Sequence, residues 1–276
     1  MKAAPFEYLR PKTVAEASVA LLRKGVATAA IAGGQSLLPM LNLRVAQVDL
    51  LVDVSRLDDL KAVAKTPDSV WIGALTTHAA IEDGKVPDTF GGLMRRIAGQ
   101  ISYRAVRNHG TIGGSVALAD PASDWPCCLI ALDASVRVAG RMGVRMETVS
   151  DLIRGSYDTT LATGDIVMGF DVPSPPASFR WGFAKVARKS GAFADSIAIA
   201  TSHGLDGPVS VTLGATGTRP YKLVSVAEAV RAGGSDDAVR AAIAVELIKH
   251  CPDVDAYEKR MHTANILRAI RDMKAQ

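Results

Sequence analysis

The stretch "RAVRNHGTIGGSVALADPASDWP", residues 104–126, constrains the fold more than any other part of the chain. Gly110, Gly113 and Gly114 lie within five positions, and Pro121 and Pro126 follow. No long helix or strand runs through such a segment, so the chain must turn there. Glycine backbone admits close approach by a neighbouring group, and Thr111 and Ser115 add hydroxyls. Asp120 and Asp124 add carboxylates that can accept hydrogen bonds from a polyhydroxylated ligand. A second glycine turn stands at "IAGGQSLLPMLNLR", residues 31–44. There "TAAIA" reads as a strand end and Gly33-Gly34 stops it. Ser36 is placed to cap a short helix built on Leu37, Leu38, Met40, Leu41 and Leu43. Free N–H groups at a helix start cradle anions. Either turn alone serves equally well as a plain structural bend. Two of them on different sub-lobes favour an extended diphosphate ligand lying between. No Gly-Lys-Ser/Thr follows either turn and no G-x-G-x-x-G occurs, which excludes the P-loop and the Rossmann fingerprint.

The rest of the chain reads as three units. Thr13 and Glu16 have capping-box spacing before a helix whose Val14, Ala17 and Leu21 share a face, with Gly25 at its C-terminal stop. Strands are expected at 27–32 and 50–54, which gives a small α/β lobe over 1–57. From 58 to 175 "SVWIGA", "DASVRVAG", "VRMETV" and "DIVMGFDVP" read as strands, and "TTHAAIED" and "FGGLMRRIAGQI" as helices. "VPSPPAS", 172–178, breaks both helix and sheet. In 176–276, "FRWGFAKVAR", "SIAIATSHGL" and "VSVTLGAT" suggest three antiparallel strands before a helical end. Val239, Ile243 and Leu247 recur at helical spacing there, as do Tyr257, Met261, Ile266 and Ile270.

Composition narrows the function classes. A net charge of +4 without any dense Lys/Arg run argues against nucleic acid. Three cysteines, two of them adjacent, suggest no disulfide framework, fit a reducing cytoplasm, and cannot supply the four thiolates of an ordinary iron–sulfur cluster. Cys127 and Cys128 read as small core residues rather than redox thiols. Asp120 and Asp124 have no histidine partner at ligand spacing, so no metal site is expected. No signal peptide and no membrane-spanning run is read from the sequence.

"AGGQSLLPMLNLR", "IGALTTH", "RNHGTIGGSVALADPASDWP" and "YEKRMHTANILRAI" together resemble the FAD-binding medium subunit of the molybdenum hydroxylases, the group of carbon monoxide dehydrogenase and xanthine dehydrogenase. The resemblance covers practically the whole chain in order. It implies an α+β, p-cresol methylhydroxylase-type fold: two FAD-binding lobes and a C-terminal lobe of three-stranded antiparallel sheet and helices. It implies that Ala32, Gly33, Gly34, Gln35, Ser36 and Leu37 form the first FAD loop, whose backbone binds the pyrophosphate. Thr111, Gly114 and Ser115 match the second loop, and Asp124 the carboxylate that anchors polar groups of the cofactor. Ile101 and Val167 match apolar positions against FAD, and Lys185 falls near a flavin-side lysine. The chain departs from the family pattern at His109, Ser115 and Asp195. The implied function is electron transfer from [2Fe-2S] clusters on a small subunit, through FAD, to an external acceptor. A large subunit carries molybdopterin, and the assembly is a dimer of heterotrimers. A self-contained flavin oxidoreductase of the same fold, or a scaffold that has lost FAD, are the alternatives. His78 could touch the cofactor, but an exposed or helix-capping role is the stronger reading.

Overall fold

A computed structural model describes residues 2–204 and 207–276. The N-terminal part comprises β1 (Glu7–Leu9), α1 (Val14–Leu21), β2 (Thr28–Ile31), α2 (Leu37–Asn42) and β3 (Leu50–Asp53). Its three strands pair in parallel in the order β1-β3-β2. Central β3 is buried along its whole length, which is why it reads as an unbroken apolar run closed by Asp53. Thr13 Oγ1 accepts from the Glu16 N–H at 3.1 Å. The Glu16 carboxylate accepts from the Lys12 N–H rather than from Thr13, so the reciprocal bond is shifted by one residue. Val14, Ala17 and Leu21 pack onto Leu50, Val52 and Val54, and Ile166 from the next lobe joins them. Helix α2 forms as expected, but Ser36 makes no capping bond. The turn enters the helix through the left-handed Gly34 (φ +70°), and the Leu38 N–H bonds to the Gly34 carbonyl instead.

A short 3₁₀ turn leads into β4 (Val63–Lys65), β5 (Ser69–Gly73), α3 (His78–Glu82), α4 (Leu93–Ala98), α5 (Arg104–Arg107), α6 (Ile112–Leu118) and α7 (Asp124–Ala131). Then follow β6 (Ser135–Gly140), β7 (Gly143–Thr148), α8 (Val149–Leu152), β8 (Ile153–Gly155), β9 (Asp158–Thr159) and β10 (Ile166–Pro173). Five strands form an antiparallel sheet in the order β4-β5-β10-β6-β7, so the last strand enters the middle. Helix α7 is buried on all sides, from Asp124 through Ala131. Cys127 and Cys128 are free thiols in that core, and burial raises the pKa of both.

The C-terminal part holds β11 (Phe179–Val186), β12 (Ser196–His203), β13 (Val209–Gly214), β14 (Tyr221–Lys222), α9 (Val224–Arg231), α10 (Asp236–His250) and α11 (Ala256–Lys274). The three long antiparallel strands are those expected. A two-residue fourth strand, β14, extends the sheet past β13. Helix α11 lies across β11 and β12, with Gly182 at the contact: a Cβ there would collide with the Ala269 carbonyl. The apolar spacing of α10 holds, with Val239, Ile243 and Leu247 buried. On α11 the buried face is His262, Asn265, Ile266, Ala269, Ile270 and Met273. Tyr257, expected on that face, is exposed. Ser196 on β12 bonds both His262 and Asn265, and Asn265 also donates to the Ala184 carbonyl at 3.1 Å. These bonds tie α11 to β11 beside Lys185. No helix among the described residues is long and apolar enough to cross a membrane.

Candidate functional site

The two glycine turns touch. A Cβ on Gly33 would fall onto the His109 carbonyl and within 3.1 Å of Gly110 Cα, so only glycine permits this backbone-to-backbone contact. Around it, the N–H groups of Gly33, Gly34, Gln35 and Ser36 donate to no protein group among the described residues. The Gln35 side-chain amide folds back to the Gly33 carbonyl at 3.0 Å and stiffens the turn. The result is a concentrated set of outward backbone donors, the arrangement that binds phosphate oxygens.

The second turn differs from what the sequence suggests. Most of its N–H groups are already paired, and only that of Thr111 donates to no protein group among the described residues. Ile112 donates to the Thr76 carbonyl at 3.0 Å, Gly113 to the Ala74 carbonyl at 2.9 Å and Gly114 to Thr111 Oγ1 at 3.1 Å. The His78 N–H in turn donates to the Gly110 carbonyl at 3.0 Å. "IGALTTH" and "HGTIGG" are therefore zipped together. The three glycines of this turn have distinct reasons. A Cβ on Gly110 would lie 2.7 Å from His78 Nε2, and one on Gly113 would lie 2.5 Å from Ala74 Cβ. Gly114 is exposed, and its Cβ would meet Thr111 Oγ1 at 3.0 Å and nothing else. Protein packing demands the first two glycines, whereas open space lies over the third. Ser115 shares a short hydrogen bond with Ser123.

Beneath this turn lies a buried polar relay. The Trp125 indole donates to His78 Nδ1 at 2.9 Å, since a buried ring N–H must find an acceptor. His78 is buried, and Thr77, not His78, caps α3. Neither the exposed nor the capping role read from the sequence applies. Burial, assisted by the Arg107 charge, lowers the His78 pKa from 6.5 to about 4. A depressed histidine pKa means that the unfolded chain binds the proton first. The stability contributed by neutral His78 is complete above pH 6.5 and is lost as pH falls towards 4. We expect about 2 kcal/mol of lost stability from this group on going from pH 7.5 to 5. Urea unfolding at both pH values checks it. A His78→Gln variant, which keeps an acceptor for Trp125, should show a loss smaller by that amount, and an equal loss in both proteins would refute the assignment.

Asp124, the first residue of α7, pairs with Lys185 on β11 at 2.8 Å, with both side chains under a tenth exposed. Burial pushes the Asp124 carboxyl up and the Lys185 ammonium opposes it. Only Oδ2 is engaged: Asp124 Oδ1 is buried with no hydrogen-bond partner. Lys185 also reaches the Gln100 carbonyl at 3.4 Å, next to half-buried Ile101. Arg107 holds the carbonyls of Ile101 and Ser102 at 3.0 and 2.9 Å while Glu82 grips its guanidinium from the other side. The structure thus gathers Ile101, Asp124 and Lys185 in one place. Val167 lies in β10, buried in the main core. It shares that core with Ile112 and Val116 of the second turn's helix, and the carbonyl of its neighbour Met168 accepts from the Ala74 N–H at 2.9 Å. Ala32 and Leu37 flank the first turn as half-buried residues, and Ser36 is exposed. Trp125, Arg107 and Glu82 shape the site without having been singled out for it in the sequence, whereas His78, a candidate cofactor contact in the sequence, bonds Trp125. Of these, only the tryptophan carried a signal, an indole beside Asp124 on a helix too apolar to be exposed.

The arrangement fits FAD on three observations: free donors at the first turn, open space over Gly114, and an orphaned carboxylate oxygen on Asp124. Comparison with known proteins agrees. The family described as "FAD binding domain in molybdopterin dehydrogenase" matches residues 4–175. The chain is 36% identical to the glyceraldehyde dehydrogenase medium chain of Sulfolobus acidocaldarius, over 71% of this chain and 69% of that one. It is 34% identical to the 6-hydroxypseudooxynicotine dehydrogenase complex subunit alpha of Paenarthrobacter nicotinovorans, over 70% of this chain and 66% of that one, slightly under two thirds of the relative's length. The structure superposes on that of carbon monoxide dehydrogenase from Hydrogenophaga pseudoflava with a TM-score of 0.93 and 28% identity, covering 100% of this chain and 99% of that one. The chain belongs to the FAD-binding medium-subunit family of the molybdopterin dehydrogenases.

Proposed function

We propose that this chain is the electron-transfer flavoprotein subunit of a heterotrimeric molybdenum hydroxylase. The observation that carries it is the junction of the two glycine turns, where Gly33 packs against His109 and Gly110, the N–H groups of Gly33–Ser36 are unpaired, and Gly114 of the second turn is uncovered. In this reading Ala32, Gly33, Gly34, Gln35, Ser36 and Leu37 cradle the FAD diphosphate. The uncovered face at Gly114, with Thr111 and Ser115, lets the cofactor lie close against the second turn. Asp124 Oδ1 accepts a hydrogen bond from a cofactor hydroxyl, and Lys185 orients that carboxyl through its bond to Oδ2. Ile101 and Val167 supply apolar contact and exclude water. FAD, when bound, supplies a carrier that accepts electrons and releases them to an acceptor. The segments 1–57 and 58–175 would hold it between them, with 176–276 alongside.

The three cysteines are all buried and cannot hold a cluster. Electrons therefore come from [2Fe-2S] clusters on a small subunit, fed by a large molybdenum subunit, in a dimer of heterotrimers. Relatives bear names of complex subunits and medium chains, which supports partners of this kind. The purified chain should show a flavin absorption band, and acid precipitation should leave the flavin in the supernatant, since no His or Cys stands in a flavinylation context. The lone chain should not oxidise organic substrates, and adding the partner subunits should make its flavin reducible by the substrate of the complex. Substrate turnover by the isolated chain would favour a self-contained flavoenzyme instead.

A further inference from the structure

Helices α10 and α11 enclose a groove far from the glycine turns in sequence and built from other elements. Its floor is apolar: Ala244, Leu247, Ala264 and Leu267. Ile248, 66% exposed, stands at its edge, and Val245 on the same helix is 59% exposed. Its rim is cationic, formed by Arg240 from α10 and Lys259, Arg260, Arg268 and Arg271 from α11. None of these five pairs with a carboxylate among the described residues, and no carboxylate lines the groove. Arg104, Arg107 and Arg145, by contrast, each pair with carboxylates. Glu258 and Asp272 of α11 do not line the groove. Like charges converging without counter-ions repel one another, and an exposed Ile248 over an apolar floor adds a hydrophobic penalty. A partner relieves both.

We propose that this groove receives an acidic amphipathic helix from another polypeptide of the complex. The chemistry selects that occupant. A groove between two helices suits a helix laid along it, with small apolar side chains meeting Ala244, Ala264 and Leu267. Four of the five cations are arginines, whose planar forks take Glu and Asp carboxylates bidentately. No aromatic side chain lines the groove to stack a base, as single-stranded nucleic acid would require. A lipid surface wants a protruding apolar face, not a concave one. The inference rests on the reading that the chain works beside other subunits, and it is independent of FAD binding.

The test uses the full chain and a synthetic helical peptide with Leu and Ala on one face, flanked by Glu, followed by fluorescence anisotropy. Binding should be saturable and salt-sensitive. An Arg260→Glu/Arg268→Glu variant should weaken it by about thirty-fold or more, and Ile248→Asp by about ten-fold. Flavin content and circular dichroism of both variants should match the parent protein, which separates failure here from failure of the cofactor reading. A peptide with Ser in place of Leu should bind weakly, and one with Lys in place of Glu not at all. In the native complex, hydrogen exchange at 240–248 and 259–271 should be slower than in the isolated chain. Peptide affinity indifferent to the charge reversal would overturn the proposal. So would equal exchange in complex and free chain, or binding of an oligonucleotide or a phosphatidylglycerol vesicle through the same arginines as tightly as the peptide.

Discussion

A Gly114→Val variant will fold with the parent circular dichroism and lose FAD, its affinity falling by about a hundred-fold or more. The two halves of that expectation come from the same geometry. A Cβ at Gly114 meets one protein atom, Thr111 Oγ1 at 3.0 Å, and then open space. Valine has better helix propensity than glycine, and displacing a capping hydroxyl costs about 1 kcal/mol, so the fold tolerates the change. The branched side chain then occupies the open space over Gly114, where the cofactor is proposed to lie. The neighbouring glycines supply the contrast. Gly33→Val and Gly113→Val drive a side chain into the His109 carbonyl and into Ala74, and should lower the unfolding midpoint itself. Equilibrium dialysis with FAD, alongside thermal unfolding, distinguishes the two classes. A folded Gly114→Val protein with normal flavin content would remove the second turn from the cofactor site.

That contrast also marks what could be read in the sequence. Both glycine turns, the short helix after the first, the three long C-terminal strands and the buried face of α10 follow from local spacing, because periodicity and backbone freedom are local properties. Which of three clustered glycines faces a ligand is not local. Gly110 and Gly113 are fixed by His78 and Ala74, some 30 to 40 positions away, while Gly114 is fixed by nothing on the chain. The same holds for the N–H groups of Ile112 and Gly113, which the Thr76 and Ala74 carbonyls occupy through a pairing that no spacing rule encodes. His78 was misplaced for a related reason. A histidine after a capping threonine looks exposed until Trp125, 47 residues on, is folded against it. Tyr257 keeps helical spacing with Met261 yet stands off the core, because periodicity gives a face and not how far the neighbouring sheet extends beneath it. The Asp124–Lys185 pair, 61 residues apart, became visible as a pair only when β11 was laid beside α7.

Replacing Asp124 by alanine will destabilise the fold by about 3–5 kcal/mol, because it leaves the Lys185 ammonium buried without its partner. The same variant will bind FAD about ten- to a hundred-fold more weakly if Asp124 Oδ1 accepts a cofactor hydroxyl. The two effects have different origins and can be separated. In an Asp124→Ala/Lys185→Met protein no buried charge remains, and the methionine fills most of the lysine stem's volume. Its stability should recover most of the loss, since removing both partners of a buried pair is far less harmful than removing one. Its FAD affinity should not recover, because the acceptor is still missing. Lys185→Met alone gives a third signature. It leaves a carboxyl that burial already pushes above its ordinary value and removes the cation opposing that shift. A carboxyl whose folded pKa exceeds its unfolded one binds protons more readily when folded, so this variant loses stability as pH rises from 4 towards 7. That slope is opposite in sign to the one His78 imposes on the parent protein. Urea unfolding of the four proteins at pH 5 and pH 7, with FAD titrations at pH 7, completes the cycle. Recovery of FAD affinity in the double variant would return Asp124 to a purely structural role, holding α7 to β11, and would leave the free donors of the first glycine turn as the principal polar anchor of the cofactor.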